Sequence, residues 1–143
     1  MEFYEELVHF CLTAVRQFTV LPQAGVLHNS EGKDWKADLD FVALDFRSQT
    51  IYQIEVSCSS EYPVKAVERL HEKNYKNIEP YIRHEILRNE LSSFKTIWWL
   101  FVRERHIARI QKEPCYSSYL ESDGQCKVQS LEKMLDEFKE RLG

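Results

Sequence analysis

The sequence lacks the long apolar segments of membrane proteins. No apolar run approaches the roughly 20 residues that a helix needs to cross a bilayer, so we expect no membrane partner. The chain begins with acidic residues at Glu2, Glu5 and Glu6, whereas a secretory signal peptide begins with basic ones. We therefore expect a cytoplasmic protein.

Cysteine is sparse and widely spaced. The four cysteines, Cys11, Cys58, Cys115 and Cys126, include no Cys-x-x-Cys pair. Because zinc sites usually combine closely spaced ligands, this spacing argues against a zinc site. Cys11 and Cys58 have apolar neighbours and should behave as small hydrophobic residues. This usage is typical of a reduced, intracellular protein.

The sequence also lacks an excess of positive charge. It has 19 Lys and Arg residues against 23 Asp and Glu residues, a formal net charge of −4 at pH 7. No overall basic field is therefore available to attract nucleic acid, and any such contact needs a local patch. Two interpretations stay open for the one basic cluster, a phosphate-backbone contact or an ordinary solvated face. Its members are Arg103, Arg105, His106, Arg109 and Lys112.

What the sequence does contain is enough apolar material for one core. Hydrophobic residues make up 43% of the 143 residues, and no internal repeat or linker divides them. We therefore predict a single domain over residues 1–143.

Apolar periodicity predicts helices in three places. Residues spaced three and four apart form one face of a helix over Phe3–Phe18 and again over Leu131–Leu142. Similar patterning runs from Pro63 toward Leu91, with an interruption near Pro80. The stretch from Arg105 to Gln125 has no clear pattern and is compatible with a strand and a loop.

Alternating or continuous apolar runs predict four strands. A short strand is predicted over Leu21–Val26, followed by a polar loop over His28–Asp34. The segments Asp38–Phe46 and Thr50–Cys58 then form a hairpin around Arg47–Gln49. The run Lys95–Val102 is apolar almost throughout, as in a strand covered on both faces. A mixed sheet flanked by helices fits this order of elements.

The register of the hairpin determines whether two carboxylates meet. If Asp45 pairs with Thr50 around a four-residue loop, Asp40 lies directly opposite Glu55; a two-residue loop keeps both on one face, and an odd-length loop separates them. Like charges opposed across two strands destabilise a sheet, and a divalent cation between them is the simplest explanation. The alternative is that Asp38 and Asp40 are solvated charges that protect the strand from aggregation, and that Glu55 is simply exposed.

The segments Ala37–Asp45 and Ile51–Ser57 resemble the core hairpin of the PD-(D/E)XK nuclease superfamily. The resemblance implies an α/β, restriction-endonuclease-like fold: a mixed β-sheet flanked by helices (an αβββαβ core), here with an added C-terminal helix. It also implies a nuclease that hydrolyses DNA with Mg²⁺ or Mn²⁺. Asp40 and Glu55 match its metal-binding acids. Glu6 matches the acid from the first helix, although an ordinary first-turn acid explains Glu6 equally well.

The sequence departs from the superfamily at Ser57, where the motif has a lysine. In some members the following helix supplies that lysine, and Lys65 is then the best candidate. Asp40, Glu55, Lys65 and Glu6 make up the predicted catalytic set. The alternative is a nuclease-derived module that lost its chemistry and binds nucleic acid or protein. A homodimer is left open.

Overall fold

The computed structural model describes residues 3–21, 27–28, 34–35, 40–57, 82–83, 87–112 and 126–142. Within these ranges the chain is mixed α/β, with three α-helices and two sheets. The helices are α1 (Phe3–Phe10), α2 (Glu104–Gln111) and α3 (Leu131–Leu142), and a π-helical turn over Cys11–Val15 continues α1. None of the helices in the described ranges is long and apolar enough to cross a membrane.

The main sheet has five strands in the order β1-β4-β5-β6-β7. Their bounds are β1 Thr19–Leu21, β4 Phe41–Asp45, β5 Thr50–Ser57, β6 Lys95–Val102 and β7 Cys126–Ser130. Strands β1, β4 and β5 pair antiparallel, whereas β5, β6 and β7 pair parallel. A separate pair of two-residue strands, β2 (Leu27–His28) and β3 (Asp34–Trp35), lies at the two ends of the predicted polar loop.

The predicted hairpin register is confirmed. Asp45 pairs with Thr50 and Phe41 pairs with Ile54 around a turn over residues 46–49. The Asp45 carboxylate accepts hydrogen bonds from the Arg47 amide at 3.0 Å and from the Ser48 hydroxyl at 2.5 Å. Partial desolvation alone would raise the pKa of Asp45, but these bonds lower it below its usual value. The charged carboxylate therefore holds the turn that sets the register.

The sheet is covered on both faces, and the side chains alternate between two apolar clusters. The first cluster joins α1, the π-helical turn and α3 to the sheet through Phe41, Ala43, Ile54, Val56 and Trp99. The second cluster, on the other face, contains Val42, Leu44, Ile51, Ile82 and Phe94. Cys11 is a free thiol buried in the first cluster, where burial raises its pKa, so it behaves as the expected small hydrophobic residue.

The first helical segment is shorter than predicted, and the first strand begins earlier than predicted. The helical segment ends at Val15 rather than Phe18, because Gln17 takes a left-handed backbone conformation with φ of 59°. The turn allows the Phe18 ring to stack on Tyr52 at 5.4 Å. Strand β1 accordingly begins at Thr19, and residues 22–26 of the predicted strand lie outside the described ranges.

The prediction of helix up to Leu91 is wrong at its end. Residues 87–93 form a bend and turns, with left-handed Arg88 and Asn89. The Arg83 guanidinium holds these turns by donating hydrogen bonds to the carbonyl oxygens of Leu91 and Phe94 and to the Thr96 hydroxyl. Residues 63–81 and 84–86 of this predicted helix lie outside the described ranges.

Helix α2 lies largely in a segment that showed no clear apolar pattern, and strand β7 was not predicted. In α2 the only fully buried residue is Ile110, and most of its residues are polar, so its few apolar positions did not reveal the helix. Strand β7 is short and pairs with β6 along one side. The long buried strand β6 and the C-terminal helix α3, by contrast, have the bounds that the apolar pattern predicted.

Replacing Ile54 with alanine should destabilise the protein by about 2 to 5 kcal/mol, because the side chain is fully buried in the first cluster. The free energy of unfolding is measured in urea. Phe3→Ala is the control, since Phe3 is 66% exposed and should cost about 0.5 kcal/mol or less. Equal losses in the two variants would contradict the assigned core.

Candidate functional site

The predicted acidic pair lies where strand β5 ends. Continuing the register Phe41 with Ile54 by one residue places Asp40 opposite Glu55. Ile54 and Val56 point into the first cluster, so alternation along β5 places the Glu55 side chain on the other face, with Gln53 and Ser57. Asp40 and Glu55 are both partly buried. The structure therefore brings the two acids to one edge of the sheet.

Asp40 is anchored to the neighbouring strand. Its Oδ2 atom accepts a hydrogen bond of 2.8 Å from the backbone amide of Val56, the residue after Glu55. The backbone hydrogen bonds of β4 begin only at Phe41. One residue earlier, the side chain of Asp40 provides a hydrogen bond to β5 instead of the backbone. This bond holds the carboxylate of Asp40 next to the backbone that carries Glu55, and it occupies one of its two oxygens.

Gln53 adds an unusual polar group to the same face. Its side chain is 1% exposed, and its Nε2 atom has no hydrogen-bond partner among the residues that the structure describes. Burying an amide donor without a partner is costly, so such groups usually contact a water molecule or a bound ligand. Gln53 is two residues before Glu55 and therefore lies on the same face of β5, next to the second apolar cluster.

The structure does not place the other two predicted catalytic residues, Glu6 and Lys65, beside Asp40 and Glu55. Ser57 is the last residue of β5 and pairs with Val102, so a hydroxyl stands where the superfamily motif has an ammonium group. Glu6 is exposed on α1, whose buried residues pack on the sheet face opposite to that of Glu55. Lys65 lies outside the described residues.

The number of acidic ligands suits one kind of metal better than another. Mg²⁺ is commonly held by one or two carboxylates, with water and phosphate oxygens completing its shell. Asp40 and Glu55 are two such carboxylates, at facing positions when the hairpin register is extended by one residue. A structural zinc site needs four ligands, and the described ranges contain no group of three or more His, Cys, Asp or Glu residues that could hold a metal. The donor set therefore fits a hard divalent cation.

The basic cluster predicted from the sequence is a helix face. Arg105, Arg109 and Lys112 are exposed and spaced four and three residues apart, so they lie along one side of α2 and its end. Residues 103–112 contain four Arg or Lys and one Glu, a local charge of +3 in a chain of net charge −4. The patch is therefore a local exception to the acidic balance of the protein.

His106 lies among the positive charges of this helix, and its pKa is lowered from the usual value. Desolvation lowers its pKa first, and the charges of Arg105, Arg109 and Arg103 lower it further, although Glu132 opposes them. Arg105 donates a hydrogen bond of 3.3 Å to the Nε2 atom of this ring.

Arg103 has a different, structural role. It pairs with Glu132 at 2.8 Å and lies over the ring of Tyr4, which attaches the start of α2 to α3 and α1. The exposed positive charges along α2 and at its C-terminal end are therefore those of Arg105, Arg109 and Lys112. The helix begins two residues after Val102, at the sheet edge where β5 ends.

Replacing Asp40 with alanine should lower the free energy of unfolding by about 1 kcal/mol or more, because the buried amide of Val56 loses its acceptor. Asp40→Asn keeps an acceptor oxygen and should lose less. Asp136→Ala, at an exposed position of α3, is the control and should show no loss. The anchoring role is refuted if Asp40→Ala is as stable in urea as the unaltered protein.

Comparison of the chain with protein-family models, curated proteins and solved structures found no match. The resemblance of the hairpin to the PD-(D/E)XK superfamily therefore stays a prediction. The two features of the described residues that bear on function are the acidic pair at the end of β5 and the basic face of α2.

Proposed function

We propose that this protein is a Mg²⁺-dependent nuclease that hydrolyses DNA on a restriction-endonuclease-like fold. The observation that carries the proposal is the hairpin register, which brings Asp40 and Glu55 to the same edge of the sheet. Two carboxylates at one edge, beside an anchoring amide and a buried glutamine, suit a cation that must also accept water and phosphate oxygens.

The order of the elements supports the fold in this proposal. Helix α1 precedes three antiparallel neighbours, β1, β4 and β5, and the next strand of the sheet, β6, is parallel to β5. Parallel neighbours need a long crossover connection, and residues 58–94 provide the length. The described elements are compatible with the αβββαβ order that the resemblance implies, and the second helix of that order was predicted in residues that lie largely outside the described ranges. Helix α2, strand β7 and helix α3 follow β6.

The proposed chemistry assigns a role to each predicted residue. A divalent cation supplies the polarisation and water activation that phosphodiester hydrolysis requires. Asp40 and Glu55 would hold the cation, with Mn²⁺ as a substitute for Mg²⁺. Lys65 would place its ammonium near the phosphate and stabilise the charge that develops there. Glu6 is on α1, which covers the face of the sheet opposite to Glu55. Its carboxylate would therefore have to reach past the end of the sheet to assist at the cation.

The exposed face of α2 supports DNA as the substrate. Arg105, Arg109 and Lys112 have the spacing and exposure needed to contact consecutive phosphates, and the helix begins at the edge where β5 ends. Contacts of this kind make binding depend on salt rather than on base sequence.

A nuclease-derived module that binds nucleic acid without cleaving it is the second candidate function. Ser57 is the observation that favours it, because a serine hydroxyl cannot supply the positive charge of the motif lysine. The basic face of α2 would serve this function as well as the first. Cleavage of DNA separates the two.

Glu55→Gln and Asp40→Asn should each weaken Mn²⁺ binding by about tenfold or more, because each removes one of the two charges that would hold the cation. Isothermal titration calorimetry with MnCl₂ measures the affinity. Glu140→Gln removes an exposed carboxylate from α3 and is the matched control. Unchanged Mn²⁺ affinity in both site variants would exclude a metal at this edge.

Lys65→Ala should abolish cleavage of a panel of duplex, nicked and single-stranded DNA in Mg²⁺ or Mn²⁺, and leave Mn²⁺ affinity unchanged, because the ammonium acts on the phosphate rather than on the cation. Lys139→Ala, at an exposed position of α3, is the control and should cleave normally. If the unaltered protein cuts none of these substrates but binds DNA with a strong salt dependence, the second candidate function replaces the first.

A further inference from the structure

A cleft of about 420 Å³ opens at the other end of the β4–β5 hairpin. Its walls come from three parts of the chain: the residues that follow the π-helical turn, the hairpin turn, and the C-terminal half of α3. Thr50, beside this cleft, is five residues from Glu55, or about 16 Å along the strand. The cleft is therefore separate from the proposed metal site.

Three arginines from these three walls line the cleft: Arg16, Arg47 and Arg141. Two carboxylates are also present, but both have partners. Glu137 pairs with Arg16 at 3.3 Å, and the Asp45 carboxylate accepts the hydrogen bonds that hold the hairpin turn. Glu137 therefore neutralises Arg16, whereas Asp45 supports the turn and interacts with the charge of Arg47 only beyond ion-pair distance.

Arg47 and Arg141 have no carboxylate within ion-pair distance among the described residues. The Arg47 guanidinium donates one long hydrogen bond of 3.4 Å to the side-chain oxygen of Gln17, a neutral acceptor. Arg141 is exposed, four residues after Glu137 and so on the same side of α3. Two guanidinium groups from different elements thus border one concave surface, an arrangement that suits the geometry of a phosphate group.

The cleft also has an apolar side. Phe46 lines it and is 57% exposed, and its ring has an edge-to-face contact at 5.6 Å with Phe94 of the second cluster. Val15 and Phe18 add further apolar surface. An exposed aromatic ring beside unpaired arginines suits a ligand that combines a planar ring with an anionic group.

The wall of the cleft is held in place by the protein core. Arg16 is fixed by its ion pair with Glu137 and by its position over the buried Trp99 ring, 5.1 Å from the centroid. Gln17, which contacts Arg47, is in the left-handed conformation that joins the π-helical turn to β1. The concave shape is therefore formed before any ligand binds, which reduces the entropic cost of binding.

We propose that this cleft binds an organic phosphate of mononucleotide size, with its phosphate between Arg47 and Arg141 and its planar ring against Phe46. The volume is within the range of small-molecule sites. The lining carries one net positive charge, which favours an anion over a neutral ligand. This site is independent of the proposed nuclease activity.

Calorimetric titration with adenosine 5′-monophosphate, inorganic phosphate and adenosine tests the proposal. We expect adenosine 5′-monophosphate to bind best, inorganic phosphate more weakly, and adenosine not measurably. Arg47→Gln and Arg141→Gln should each reduce the affinity for adenosine 5′-monophosphate by about tenfold or more. Lys139→Gln removes a neighbouring positive charge that does not line the cleft and should change little. All three positions are exposed, and urea unfolding verifies that each variant is folded.

Phe46→Ala tests the ring contact separately. It should weaken binding of adenosine 5′-monophosphate and leave binding of inorganic phosphate unchanged. Equal affinity for these two ligands in the unaltered protein would overturn the assigned ligand class. The site itself would be rejected if no probe binds at millimolar concentration, or if both arginine variants bind as tightly as the unaltered protein.

Discussion

The register of the β4–β5 hairpin is the constraint on which the rest of the structure depends. A slip of one residue would move every side chain of a strand to the other face. Phe41 and Ala43 would then leave the cluster that receives α1 and α3, and Asp40 would no longer be opposite Glu55. The charged carboxylate of Asp45, with its hydrogen bonds from Arg47 and Ser48, stabilises the turn that prevents this slip. A surface turn thereby determines both the core and the position of the polar edge.

Elements with many buried apolar positions could be predicted from the sequence. Strand β6 is buried along almost its whole length, and α3 presents Leu131 and Met134 to the first cluster, so both have strong patterns. The hairpin was predicted from alternation and a short polar turn. Helix α2 was missed because most of its residues are polar and only Ile110 is fully buried. The turns after Leu87 were missed because they depend on hydrogen bonds from Arg83, a residue distant in the sequence from the carbonyl of Phe94.

The candidate site was predictable only in part, for the same reason. Residue spacing placed Asp40 and Glu55 on one face only for a loop of even length, and the structure shows the four-residue loop. The hydrogen bond from the Val56 amide to Asp40 depends on where regular pairing begins, which the alternation over Asp38–Phe46 does not indicate. The arginine-lined cleft was not predictable at all, because Arg16, Arg47 and Arg141 come from three distant segments. It is a property of the packed fold rather than of any motif.

The central claim is that Asp40 and Glu55 hold one divalent cation at the end of β5. A crystal structure of the protein grown in MnCl₂, with anomalous data collected near the manganese absorption edge, tests it most directly. If Asp40 and Glu55 hold one cation, an anomalous peak lies within about 2.5 Å of a carboxylate oxygen of each residue. The claim is contradicted if the two carboxylates have no peak between them at saturating Mn²⁺, or if the peak lies against other side chains.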